Sequence, residues 1–208
     1  MSHFFAIHPD NPQARLLRKA VLIIRDGGVV IYPTDSGYAI GCSLGNKAAL
    51  ERIRRLRQLD KSHNMTLIAR DLMQVGTYAK ISTVSYRLLK AFTPGAYTFI
   101  LNATNAVPKL MLYPKRRTLG LRIPNNIIAL SLVECLETPL MSTTLILPQA
   151  TVSMSEPDAI HELLGNQIDL IIDGGNCGYD PTTIVDLTGD YPVILRVGKG
   201  SIEPFKAL

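Results

Sequence analysis

The sequence predicts an α/β fold: a single domain with a mixed parallel and antiparallel sheet flanked by helices. Three observations predict it. Strand-length apolar runs alternate with helix-length amphipathic stretches along most of the chain. The end of the chain is strand-rich, which suits antiparallel pairing beside parallel crossovers. Of 208 residues, 47% are hydrophobic, enough for one large core.

The elements follow in order. Asn11 is placed to cap a helix with Pro12 at its first position, and Leu17, Val21 and Ile24 form its apolar stripe until Gly27. Residues 28–33 read as a strand. Asn46 caps a second helix with Leu50 and Ile53 on its buried face, extendable to Leu56. Residues 65–69 are a strand, Asp71 starts a short helix, and residues 82–91 are another helix. Beyond the turn at 93–95, residues 96–103 and 118–123 read as strands, the latter stopped by Pro124. Asn125 caps a helix to about Leu136, and residues 140–147 are a strand. A helix opens at Ser155 with Pro157 in its first turn. Residues 169–173, 182–187 and 193–197 close the chain as strands.

Composition narrows the function classes. No apolar run reaches the roughly 18 residues of a membrane span, and the opening MSHFFAIHPDNPQ has no basic region followed by an apolar one. A cytoplasmic protein with no membrane partner is expected. Cys42, Cys135 and Cys177 are odd in number and far apart, so buried thiols are expected, with neither disulfides nor a structural metal. His8, His63 and His161 have no ligand spacing and read as surface residues. The net charge of +5 is mild, but it concentrates in ERIRRLRQLDK and KRRTLGLR. Each cluster is either a solvated surface or an anion-binding one.

Five polar interruptions fall at strand ends or inside strands. Thr34, Asp35 and Ser36 follow the first strand; they are either an ordinary turn or hydroxyls aimed at a ligand at the sheet's end. Arg55 and Arg57 share a face only in extended chain, so joint service in one site requires the helix to end near Arg55. Two such guanidiniums suit phosphate or carboxylate. Ser142 and Thr144 share a face of an apolar strand, where threonine is also at home for its β-branching. Thr182 and Thr183 open another strand. Arg196 lies inside a fifth and either faces solvent or meets an anion.

Taken in order, PTDSGYAIGC, RLRQ, TPGAYT, LGLRIP, STT, PTTIVDL and ILRVG make the chain resemble the threonylcarbamoyl-adenylate synthase family, in its YrdC/YciO branch, over nearly its whole length. The resemblance implies a twisted open sheet with a basic concave surface. It implies synthesis of threonylcarbamoyl-AMP and pyrophosphate from L-threonine, bicarbonate and ATP, with Mg2+ accompanying the nucleotide, for the t6A modification of tRNA. It also implies an alternative: a double-stranded RNA- or tRNA-binding protein that keeps the basic cavity without efficient catalysis.

Carried over to this sequence, the family pattern puts threonine against Thr34, Arg122, Ser142 and Thr182. It puts the nucleotide against Arg55, Arg57, Thr118, Thr144 and Arg196, with Arg55 and Arg57 as the catalytic cations. Lys115, Arg116 and Arg117 are the expected RNA contacts. Arg55 stands where the family has lysine, Gln58 where it has proline and Thr144 where it has asparagine. Arginine is bulkier and forked, and threonine lacks an amide's paired donor and acceptor, so a slower synthase is the expectation. ATP binding rests on the resemblance, because no phosphate-binding glycine loop of the G-x-x-x-x-G-K-[ST] kind is present.

Overall fold

The computed structural model describes residues 2–60, 63–112 and 117–205. Its strands are β1 (His3–Ala6), β2 (Val30–Thr34), β3 (Gly37–Ser43), β4 (Thr66–Ile68), β5 (Ala79–Lys80), β6 (Tyr97–Ala103), β7 (Thr118–Arg122), β8 (Leu140–Thr144), β9 (Leu170–Asp173), β10 (Thr183–Asp186) and β11 (Val193–Arg196). Its α-helices are α1 (Ala14–Arg25), α2 (Lys47–Arg57), α3 (Leu72–Tyr78), α4 (Thr83–Phe92), α5 (Ile127–Leu136) and α6 (Pro157–Leu164). All described strands join one mixed sheet in the order β1-β9-β2-β3-β8-β4-β7-β6-β10-β11, with β5 beside β6. The expected fold class holds. Neighbouring β2–β3 and β3–β8 are antiparallel, while β4–β7 and β6–β10 are parallel. No helix among the described residues is long and apolar enough to cross a membrane.

Register decides what each face carries. Opposed residues share a face. Thr34 opposes Gly37, Ala39 opposes Thr144, and Ser142 opposes both Gly41 and Thr66. Thr66 pairs with Gly120, Gly120 with Ile100, and Thr98 with Ile184. These residues, most of them small or polar, therefore lie on one face across seven strands. The other face carries Ile31, Ile40, Leu67, Phe99, Leu121, Met141 and Val185, all buried in the larger core. Helices α2, α3, α4 and α6 supply Leu50, Ile53, Val75, Leu89 and Ile160 to that core.

The small-residue face is only half covered. Helices α1 and α5 pack over Val30, Tyr32, Ala39, Leu140, Leu170 and Ile172 through Leu17, Val21, Ile24, Ile128 and Leu132. Beyond Ile68, no residue of β6, β7 or β10 belongs to this second core. That stretch of the sheet faces open space and forms the floor of a groove.

Several sequence-based bounds shift. Helix α1 is preceded by Gln13 as its N-cap, with no side-chain cap bond, rather than by Asn11. The cap of α5 is Asn126, whose side chain accepts from the Ala129 amide at 3.0 Å, rather than Asn125. Glu156, not Ser155, precedes α6. Strand β8 stops at Thr144 instead of reaching residue 147. The three cysteines are free, but only Cys42 is buried; Cys135 and Cys177 are partly exposed. Burial pushes the Cys42 thiol up to about 12, which leaves it unreactive at neutral pH.

Candidate functional site

The turn after β2 opens the site. The Thr34 hydroxyl donates to the Gly37 carbonyl at 2.6 Å and accepts from the Ser36 amide at 3.2 Å, closing a local hydroxyl turn. Gly37 has φ +122, and a Cβ there would run into the Ser153 side chain, so glycine is required. Between Thr34 and Ser36, Asp35 forms an ion pair with Arg122 at the end of β7. Lys199 donates to the Asp35 main-chain carbonyl.

Around this turn lies a narrow pit of about 30 Å3, lined by Thr34, Ser36, Arg122, Ser142, Thr144 and Thr182 among others. Most of its polar atoms are tied together. Ser142 donates to the Ile40 carbonyl at 3.1 Å, so its 2.7 Å contact with Tyr32 is donated by the phenol. Thr182 and Thr98 hydroxyls lie 2.8 Å apart. Arg196 donates from Nη2 to the Thr182 carbonyl at 2.8 Å and to its hydroxyl at 3.1 Å. Burial lowers the pKa of Arg196, and the positive charge of Arg122 lowers it further. Two guanidiniums that feel each other at the edge of one pit favour an anion between them. The Arg122 Nε is buried without a partner and is a ready donor for it.

Thr66 and Thr98 belong to both the pit and a broad groove of about 930 Å3. The groove's floor is Ile100, Gly120 and Ile184; Arg117, Thr118, Asp186 and Leu195 stand around it, and His63 lines it too. A size of this order suits a nucleotide-sized ligand, with an apolar floor and a few polar groups to orient it. Among the described residues, no three of His, Cys, Asp and Glu come together as a metal site.

The structure thus brings together Thr34, Arg122, Ser142, Thr144 and Thr182 in the pit, Arg196 against Thr182, and Thr118 and Arg117 in the groove. Lys115 and Arg116 lie outside the described residues. The pairing of Arg55 with Arg57 is corrected. Helix α2 runs to Arg57, and Gln58 in the left-handed conformation stops it, so the two side chains point apart. Neither lines the pit or the groove among the described residues. Arg55 is exposed beside Glu51, Gln58 and Asp60. Arg57 is half-buried, and its charge acts on His63. Of the other basic residues in that stretch, Arg52 ties α2 to the sheet. It binds Asp169 at 2.7 Å, and Asp169 also accepts from the Val29 amide at 2.7 Å.

His63 corrects the surface reading of the histidines. It is half-buried, it lines the groove, and its Nε2 is 3.2 Å from the hydroxyl of Thr143, which opposes Ile40 on the face away from Ser142 and Thr144. Nothing local marks it, because its surroundings come from the end of α2 and from β8. His8 and His161 are exposed as expected.

Comparison with known proteins decides the family. The Sua5/YciO/YrdC family profile, described as telomere recombination, matches residues 22–198. The chain belongs to this family. It is 53% identical over 205 residues to the uncharacterized protein YciO of Escherichia coli, covering 99% of this chain and 100% of that one. The crystal structure of Escherichia coli YciO superposes with a TM-score of 0.95. A threonylcarbamoyl-AMP synthase of Nitrosococcus oceani is 38% identical over 129 residues, 62% of this chain and 69% of that protein. Pyrococcus abyssi Sua5, crystallised with L-threonine, superposes with a TM-score of 0.91 at 26% identity, over 99% of this chain and 60% of that one.

Proposed function

We propose that this member of the Sua5/YciO/YrdC family makes threonylcarbamoyl-AMP from L-threonine, bicarbonate and ATP. The observation that carries the reading is the pair of guanidiniums, Arg122 and Arg196, at a pit walled by hydroxyls and opening into a nucleotide-sized groove. Support comes from the relative named threonylcarbamoyl-AMP synthase and from the L-threonine complex of Pyrococcus abyssi Sua5.

The pit is small, so it takes the carboxylate end of the amino acid and leaves the amine toward the groove. Arg122 Nε and Arg196 bind that carboxylate. Thr34 has spent its proton on Gly37 and offers only acceptor capacity, as Ser142 does after donating to Ile40. Both therefore suit the substrate's own hydroxyl as donor. ATP lies in the groove over Ile100, Gly120 and Ile184, with Thr118 and Arg117 at its edge. The carbamate formed on threonine attacks the α-phosphorus, the bond to the bridging oxygen breaks, and pyrophosphate leaves. The chain's work is to hold the two reactants in line and to meet the developing charge with fixed cations. Mg2+ is expected to arrive with the triphosphate and to screen its oxygens; no described cluster is built to keep it as a resident ion.

The test is incubation with ATP, labelled bicarbonate and L-threonine. Labelled threonylcarbamoyl-AMP and stoichiometric pyrophosphate support the reading; their absence at any enzyme concentration removes it.

RNA is the second reading, favoured by one observation: Arg117, fixed by a 2.7 Å bond to Asn105, stands on the open side of the groove. If a duplex binds there, affinity falls with salt by a log–log slope near −0.9 for each phosphate neutralised on a B-DNA-like helix. Replacing Lys115, Arg116 and Arg117 together flattens that slope.

A further inference from the structure

We propose that Asp186 and Asn102 read the base of the bound nucleotide, accepting the two hydrogens of an exocyclic amine such as that of adenine. This rests on the synthase reading, which lays ATP in the groove, and it adds the recognition of the base.

The groove has two unlike ends. Thr98 pairs with Ile184 beside the pit, Ile100 lies between Gly120 and Asp186 in the next row, and Asn102 pairs with Thr118 in the row beyond. From Arg122 at the pit to Thr118 at the far end, β7 advances about 13 Å. That is the reach of a mononucleotide from its phosphates to the edge of its base. Gly120 has no side chain to lift a flat ring off Ile100 and Ile184; a Cβ there would meet the Thr66 hydroxyl at 3.0 Å. Leu195 extends the apolar floor from β11.

The far end offers acceptors. Asp186 Oδ1 accepts from the amide and the hydroxyl of Thr188, at 2.8 and 2.7 Å. Its Oδ2 has no hydrogen bond among the described residues. Asn102 donates from Nδ2 to the Thr188 carbonyl at 3.3 Å, which leaves its Oδ1 as an acceptor. Both side chains line the groove, and both are braced on Thr188. An amine with two hydrogens satisfies both oxygens, whereas a ring carbonyl in its place would meet oxygen with oxygen. The Asp186 charge also repels phosphate from this end, while the cations Arg122 and Arg196 draw it to the other. Arg117, next to Thr118, is tied to Asn105 at 2.7 Å.

The test is calorimetric titration of the native protein, Asp186→Asn and Asn102→Ala with ATP and with purine riboside 5′-triphosphate, which has a hydrogen where ATP has the amine. In Asp186→Asn the amide oxygen keeps the two bonds from Thr188 and the amide nitrogen turns a donor toward the amine, so the turn stands while the acceptor is lost. The native protein binds ATP about 10–100-fold more tightly than the purine analogue. Asp186→Asn loses that preference through weaker ATP binding, with the analogue's affinity and the melting temperature unchanged. Asn102→Ala narrows the preference in the same way. Equal native affinities for the two nucleotides, or a native preference that survives either substitution undiminished, overturn the base-reading pair and leave the synthase reading intact. No binding of either nucleotide by the native protein overturns both.

Discussion

Arg122 and Asp35 form an ion pair between the end of β7 and the turn that follows β2, with only 6% and 12% of their side chains exposed. The pair closes one wall of the pit and fixes the direction of the guanidinium. Removing the Asp35 charge strands a buried cation, so Asp35→Asn lowers stability by about 3–5 kcal/mol. Removing both charges, in Asp35→Asn with Arg122→Gln, costs less than the sum of the single changes. Urea unfolding of the four proteins measures the coupling. Additive losses would mean that the two groups are not paired in solution.

Ser142 and Thr144 are neighbours in the pit wall but differ in consequence. Ser142→Ala leaves the buried Tyr32 hydroxyl with no acceptor and costs about 1–3 kcal/mol. Thr144→Asn changes a half-exposed side chain and keeps stability within about 0.5 kcal/mol. It restores the amide that the family pattern has there, so threonylcarbamoyl-AMP formation rises. Thermal melts and product assays on both variants separate the two effects.

Arg57 and Arg55 differ just as clearly. The Arg57 charge lowers the pKa of His63, so Arg57→Ala raises it, while Arg55→Ala leaves it in place. A ring whose folded pKa lies below its unfolded value of 6.5 adds stability above pH 6.5 and loses it as pH falls through the folded value. In Arg57→Ala that acid-side loss shrinks. Titration of the His63 ring resonance by NMR, with acid melts, checks both. A larger shift in Arg55→Ala would mean that the basic face of α2 is turned the other way.

The legible parts of the molecule are those with local signals. Asn46 and Asp71 cap α2 and α3 as their positions suggest, each accepting from the amide three residues on. The alternation around Ser142 and Thr144 predicts one shared face, and register places them there with Thr66 and Gly41. Strand β3 shows no alternation because residues 37–42 are buried on both sides. Arg196 reads as a charge in a strand, and its use, gripping Thr182, depends on pairing across a bulge between β10 and β11. The Arg55–Arg57 pairing fails on one residue, since the helix stops at Gln58 rather than near Arg55. His63 is illegible because Thr143, its partner, is 80 positions away.

The pit's claim on a carboxylate is tested most directly by calorimetric titration of the native protein with L-threonine and with L-threoninol, which has an alcohol where threonine has the carboxylate. Charge-assisted bonds from Arg122 and Arg196 are worth about 1.5–3 kcal/mol. L-Threonine therefore binds at one site per chain, and L-threoninol binds about 10–100-fold more weakly. Equal affinity for the two, or no heat from either, contradicts the assignment of the pit as an amino-acid carboxylate site.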